Sequence, residues 1–267
     1  MTIRNFKNIE LRPVTLSLMV SLFTAVICNC AFFSKIIESY GYGFGNAFPL
    51  FSTFIVLTCA QLLFLSLFSF RPVVKPVLIA FLLLAAVIRY FSDSYGLVVD
   101  ESMLSNILKT DRAEAFDLLG WGIVKSFVVF GLVPSVLVYK AKLTRSRLPK
   151  ELLRVFLSIS LCLVVAVSTV LLFSKFYASF FREHKSVRSY ANPLYSLYSI
   201  GKLAGSRLSV GPQALSALGR DSVISPNDEH RELIILVIGE TAQADRFSLN
   251  GYSRETNPNL KKEKVIS

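Results

Sequence analysis

The sequence predicts a mainly α, membrane-embedded chain. Five transmembrane helices are followed by the beginning of an α/β domain, expected to be truncated. Three observations carry this. The 267 residues are 53% hydrophobic and only 18% charged, with a mean hydropathy of +0.54. A soluble domain averages about 45–50% apolar and about 25% charged residues. Apolar runs long enough to cross a bilayer recur along the chain before residue 175. A strand-forming run, Leu233 to Ile238, comes only afterwards, and it ends on Gly239 and Glu240.

The spans follow from counting charges. A membrane helix needs about 20 predominantly apolar residues. Stretches 13–34, 46–70 and 155–174 contain no charge. A fourth span, 73–91, is bounded by Lys75 and Arg89, whose long side chains can snorkel to the interface. A fifth, 118–139, is interrupted only by Lys125, which lies either near the interface or toward a polar cavity. Cys28, Cys30, Cys59 and Cys162 all fall inside apolar runs and read as free thiols packed as small hydrophobes. They offer no C-x-x-C metal spacing. The first run is too long for a cleavable signal, and no small-residue cleavage site follows it.

Charge then sets orientation. The formal net charge is +11. No nucleic-acid module accompanies it, so the expected partner is an anionic membrane surface and not nucleic acid. Arg4, Lys7 and Arg12 precede the first span, and Arg71 and Lys75 lie in the second loop. Lys140, Lys142, Arg145, Arg147, Lys150 and Arg154 fill the fourth. The third loop is acidic, with Asp93, Asp100, Glu101, Asp111, Glu114 and Asp117. Basic loops stay in the cytoplasm. The N-terminus is therefore expected inside, and everything after about residue 174 outside. Three regions follow: 1–174 as the membrane domain, 175–230 as interfacial helices and linker, and 231–267 as the start of a periplasmic domain. Chemistry out there cannot draw on cytosolic ATP.

In the third loop Asp100 can cap a helix whose first turn is acidic, as the helix dipole prefers. Asn106, Thr110 and Glu114 then fall at i, i+4 and i+8 on one polar face. That face is either the solvated side of a helix lying on the membrane or a surface turned toward a lipid headgroup. Between 175 and 220, cations such as Lys175, Arg182, Lys202 and Arg207 are set among Phe, Tyr and Leu. This suits a segment in the headgroup plane. His184 and His230 read as surface residues.

The run 233–238 reads as a strand covered on both faces. Open α/β sheets bind ligands at the carboxyl ends of their strands. Glu240 stands at such an end and can ligate a divalent cation. It could equally be a helpful acid opening a helix.

Here the residues resemble a family. "VIGETAQADRFSLNGYSRETNP" and "SNILKTDRAEA" resemble the signatures of bacterial lipid A phosphoethanolamine transferases, which include the mobile colistin-resistance enzymes. The resemblance covers the chain, most tightly 95–117 and 233–258. It implies an inner-membrane enzyme with a periplasmic domain similar to alkaline phosphatases and sulfatases. It implies zinc held in part by Glu240, and a threonine nucleophile that takes phosphoethanolamine from phosphatidylethanolamine and passes it to lipid A. Tyr95, Asn106, Thr110 and Glu114 match the positions that line the headgroup cavity. The nucleophile and the Asp–His metal ligands are expected after Ser267. Thr241 adjoins the metal ligand but does not match the nucleophile's position. Catalytic zinc usually has three protein ligands, so residues 1–267 alone are expected to be inactive and to bind zinc weakly. The rival acceptors are lipopolysaccharide core sugar, Kdo or a glucan. Two rivals from other classes are a non-catalytic truncated membrane protein and a transporter. The transporter is disfavoured because the spans carry almost no buried charge pairs.

Overall fold

A computed structural model of the chain describes residues 10–41, 43–109, 120–209 and 243–263. The chain divides into two units, Met1–Gln213 and Ala214–Ser267. The strand expected at Leu233–Ile238, and with it Thr110, Glu114, His230, Glu240 and Thr241, lies outside the described residues.

The described part of the first unit opens with a two-residue strand β1 (Glu10–Leu11). Extended Arg12 then leads into α1 (Pro13–Ile27), with proline in its first turn, where a missing N–H costs nothing. The predicted uninterrupted span 13–34 is broken. The chain leaves helical geometry at Cys28–Asn29 and resumes as α2 (Cys30–Tyr40), bent by 51°. Asn29 supplies the reason. Its Nδ2 donates to the Thr24 carbonyl at 2.8 Å, a bond that competes with continuation of the helix. Next come α3 (Phe44–Ser66) and α4 (Val74–Tyr95). Gly96 ends α4 in the left-handed region (φ 63°), and the Leu97 N–H reaches back to the Phe91 carbonyl. That closure favours glycine.

Helix α5 (Glu101–Lys109) follows. Asp100 caps it as expected, its Oδ1 accepting from the Met103 N–H at 2.8 Å and the Ser102 hydroxyl at 2.7 Å. Helix α6 (Trp121–Lys140) contains a π-helical segment, Phe127–Leu132. Within it Gly131 lets α6 close on α4: a Cβ there would stand 3.2 Å from both Ala86 Cβ and Leu83 Cδ2. Lys125 is exposed about one turn from the start of α6, which fits the interface and not a buried cavity. Strand β2 (Lys142–Leu143) pairs in parallel with β1. Helix α7 (Leu148–Leu172) follows, starting earlier than the predicted 155–174.

Among the described residues four helices are long and apolar enough to cross a membrane, and five spans result if the bent α1–α2 pair counts as one. In the bundle α3 packs on α1 and α7, and α4 packs on α6 and α1. The outer face of α7 exposes Leu153, Phe156, Leu157, Leu161, Val164 and Leu171. So large an apolar stripe calls for lipid. Three cysteines are buried as expected, whereas Cys30 is exposed at the start of α2.

After α7 come α8 (Ser174–Glu183), a 3-10 turn at Val187–Tyr190 and α9 (Leu194–Ser209). Residues 190–199 depart from the expected headgroup-plane segment. Asn192, Pro193, Ser196 and Ser199 are buried, and Leu194 and Leu197 pack onto core residues of α1 and α4. Asn192 is the pin. Its Nδ2 donates to the Cys28 carbonyl at 2.9 Å and the Ala85 carbonyl at 2.8 Å. Its backbone N–H donates to Asn29 Oδ1, and its carbonyl accepts from Asn29 Nδ2 and Gln61 Nε2, each at 2.8 Å. The Asn192 carbonyl can only accept, so it fixes Gln61 Nε2 toward it, and Gln61 Oε1 lies 2.7 Å from the Thr24 hydroxyl.

In the second unit, residues 243–263 form a self-braced loop. The Ser248 N–H donates to Thr256 Oγ1 and Asn257 Oδ1, both at 3.0 Å, and the Asn257 N–H returns to Ser248 Oγ at 3.2 Å. Gly251 turns the chain at φ 97°. Helix α10 (Pro258–Lys262) ends the described part. The "FSLNGY…TN" residues thus hold the loop's own shape.

Two outcomes follow. Asn192→Ala strands the Cys28 carbonyl at the helix break and removes a second bond from the Ala85 carbonyl, and Asn29→Ala frees the Asn192 peptide. Each should lower stability by about 1–3 kcal/mol, read from unfolding midpoints in detergent. Arg182→Ala, at an exposed side chain, should leave the midpoint unchanged. The second outcome concerns Asp100. Hydrogen bonds from the Met103 N–H and the Ser102 hydroxyl hold its carboxyl below the usual range. The stabilisation is therefore complete above the unfolded-chain value, about 3.9, and is lost as pH falls through the lower folded value. Asp100→Ala should loosen α5 by about 1 kcal/mol. Protection of the Met103 amide, relative to intrinsic exchange, should fall in acid for the parent chain. It should not do so for Asp100→Asn, which caps without titrating.

Candidate functional site

Tyr95 and Asn106 lie on either side of the connection where α4 hands over to α5. Tyr95 is the last residue of α4, 52% exposed, with its ring 5.9 Å from Tyr90 and 6.1 Å from Phe91. Asn106 lies on the exposed side of α5. The connection between them is clamped from two elements. The Ser92 hydroxyl donates to the Leu97 carbonyl at 2.9 Å, and the Tyr190 hydroxyl donates to the Gly96 carbonyl at 2.8 Å. Lys202 of α9 meets Glu101 of α5 at 2.6 Å. That hydrogen bond holds the Lys202 ammonium above its usual pKa. Because the lysine is exposed, the contact sets register more than stability.

Sequence reasoning missed part of this surface. A groove of about 510 Å³ lies between α5 and α9, with Glu101, Ser105, Tyr195, Tyr198, Ser199 and Lys202 among its walls. Tyr195, Tyr198 and Lys202 stand at i, i+3 and i+7, one face of a helix. That spacing was readable, but a headgroup-plane segment gives no reason to look for a groove. Tyr95 and Asn106 are not among its lining residues.

The other predicted residues are not brought together in the described part, because Thr110, Glu114, Glu240 and Thr241 lie outside it. Among the described residues no group of three His, Cys, Asp or Glu could hold a metal ion. His184, read as a surface residue, is half-buried, with its ring edge-on to Tyr40 at 5.0 Å. One charge pair does lie within a span. Arg89 Nε donates to Asp93 at 3.0 Å, and the guanidinium carbon stands 3.6 Å above the Phe130 ring. Arg89 is thus paired along its own helix and covered by α6.

The chain is 39% identical to phosphatidylethanolamine transferase Mcr-2 of Escherichia coli over 257 residues, which is 95% of this chain and 48% of that protein. It is 40% identical to phosphatidylethanolamine transferase Mcr-1 of Escherichia coli over 255 residues, 94% of this chain and 47% of that protein. Among solved structures it superposes, with a TM-score of 0.83 and 28% identity, on the integral membrane protein lipooligosaccharide phosphoethanolamine transferase A (EptA) from Neisseria meningitidis. That match covers 94% of this chain and 47% of the other. The chain thus spans about half the length of the curated relatives it matches. Residues 57–208 match the family described as phosphoethanolamine transferase EptA/EptB. They include α4, α5 and the buried Asn192 segment, so the match falls on the features that build this surface, and the chain belongs to the EptA/EptB phosphoethanolamine transferase family.

Proposed function

We propose that the chain forms the membrane part of an inner-membrane enzyme that transfers phosphoethanolamine from phosphatidylethanolamine to lipid A. The observation that carries this reading is the 39–40% identity to two phosphatidylethanolamine transferases over nearly the whole chain. The charge pattern orients the bundle. Lys140, Lys142 and Arg145 mark the cytoplasmic end, and α5 with its acidic first turn marks the periplasmic end.

In this reading Tyr95, Asn106, Thr110 and Glu114 receive the donor headgroup at the periplasmic surface. A carboxylate at 114 suits the ethanolamine ammonium, and the Asn106 amide and Thr110 hydroxyl suit phosphate oxygens. Glu240, one residue past a glycine at the end of a strand-forming run, supplies one carboxylate ligand to zinc. Bound zinc supplies a Lewis acid for phosphate oxygens. One carboxylate is fewer than the three protein ligands of a usual catalytic site, so the remaining ligands and the threonine nucleophile are assigned to sequence following Ser267. The bundle's part is to hold the headgroup surface at a fixed height and to exclude other lipids from it.

The test uses the complete reading frame that contains this chain, expressed in a polymyxin-susceptible Gram-negative host. Lipid A should gain one phosphoethanolamine group by mass spectrometry. Polymyxin binding should fall, because the added amine offsets phosphate charge. Glu240→Ala should lower the modified fraction by more than the roughly 10–100-fold that loss of an outer-shell partner costs, and Asn106→Ala should lower it without abolishing it. Unmodified lipid A beside abundant protein would refute the acceptor, and undiminished modification in Glu240→Ala would refute the metal assignment.

A further inference from the structure

At the end of the bundle opposite Tyr95, separate stretches of chain converge on one basin of about 670 Å³. Arg71 and Lys75 come from the turn before α4 and its first residues, Lys140 from the end of α6, and Lys142 and Arg145 from the chain just after it. Glu10 is the one carboxylate among the lining residues. The walls are fixed. The β1–β2 pair sets Glu10 beside Lys142 and Leu11 beside Leu143, and the Thr144 N–H extends the pairing to the Leu11 carbonyl at 3.0 Å. Lys75 Nζ donates to the Tyr139 carbonyl at 2.6 Å, which holds its charge at the rim.

An excess of cations at one end of a membrane protein is what topology alone requires, and would not define a site. A second feature does. Ala141 lines the basin and also an apolar groove of about 270 Å³ between α1 and α6. Leu16, Met19 and Phe23 of α1, Leu82 of α4 and Leu137 of α6 line that groove. These residues sit inside membrane-spanning helices, so the groove lies in the apolar layer and adjoins the basic basin at Ala141. A charged cup beside a greasy groove matches the polarity of a phospholipid.

We propose that basin and groove together bind one phospholipid of net negative charge. Its phosphodiester lies among Lys75, Lys142 and Arg145, and one acyl chain lies in the groove. A zwitterionic headgroup fits poorly, since its ammonium would meet five cations against one carboxylate. Free phosphate would satisfy the basin but leave the groove unfilled. The site stands apart from the proposed transfer reaction, because none of its residues belongs to the headgroup set around Tyr95. Only the identity of the leaflet rests on the orientation proposed above.

The 267-residue chain, purified with equal phosphatidylglycerol and phosphatidylethanolamine, is examined by native mass spectrometry for retained lipid. Phosphatidylglycerol should be retained in preference. The double variant Lys142→Ala/Arg145→Ala should lower that retention roughly thirtyfold, on the order of what two cations at an anionic lipid surface supply. Lys142→Arg/Arg145→Lys should restore it. Lys175→Ala/Lys185→Ala, which removes the same charge elsewhere, should leave it unchanged. Met19→Trp, which fills the groove, should also lower it while leaving the binding of inorganic phosphate intact. Equal retention of the two lipids, or equal losses in both double-alanine variants, would overturn the proposal. Displacement by millimolar inorganic phosphate, with Met19→Trp without effect, would assign a soluble phosphate site and overturn the lipid.

Discussion

A peptide group that enters a bilayer-spanning bundle outside a helix must find its hydrogen-bond partners in protein, since the hydrocarbon layer offers none. Residues 190–193 meet that constraint, and much of the first unit is arranged to let them. Asn192 presents a peptide N–H, a peptide carbonyl and a side-chain amide, and the bundle answers each. Asn29 pairs with the Asn192 peptide as a neighbouring strand would, offering Oδ1 to its N–H and Nδ2 to its carbonyl. Gln61 adds a second donor to the same carbonyl. The Cys28 and Ala85 carbonyls take the side-chain Nδ2. Cys28 is free to do so because the helix is interrupted there, so the break in the first span and the insertion of the later segment support each other. Among the described residues Asn192 Oδ1 alone of these groups has no partner.

The pin has consequences at the outer end. Residue 192 is held inside the bundle, so α9 begins among the core residues of α1 and α4 and climbs toward α5. The climb brings Lys202 to Glu101 and leaves the groove between the two helices. On the way in, Tyr190 reaches the Gly96 carbonyl. The turn between Tyr95 and Asn106 is therefore set by contacts that begin deep in the bundle, and a long-range asparagine pair governs the geometry of the proposed headgroup surface. Such coupling is expected where a polar group inside a membrane must find its partners in protein.

How much of this was legible depends on the range of each signal. The spans α3, α4, α6 and α7 were visible as charge-poor runs because lipid imposes the same local demand on every turn. The Asp100 cap was visible because donor and acceptor lie within four residues. The break at Cys28–Asn29 carries no proline, no glycine and no charge. Asn29 bonds to the nearby Thr24 carbonyl and also to the Asn192 carbonyl 163 positions away, and no local pattern records the second partner. The burial of 190–199 was hidden for the same reason, and its tyrosines and cations imitate an interfacial segment. Nothing local marks Gly131, whose meaning lies in the nearness of α4. In the candidate site, the positions of Tyr95 and Asn106 came from resemblance and from helical spacing. The groove formed by Glu101 and Lys202 joins two helices far apart in sequence, so spacing within either could show only half of it.

The two ends of the bundle hold different chemistry at a distance fixed by α4. Its 22 residues, Val74–Tyr95, span about 33 Å at 1.5 Å per residue, close to the thickness of the hydrocarbon layer. The basic basin at Lys75 and the surface at Tyr95 therefore face opposite leaflets, and no single lipid can reach both. Whatever passes between them must travel through α4 and the helices it touches. Halfway along that path, at Ala85 and Ala86, sit both the Asn192 pin and the close approach of Gly131. The close helix contact and the polar pin thus fall on one level of the bundle. Displacing α6 at the basin would press on the same turn of α4 that holds the inserted segment, and through it on the height of α9 beside α5.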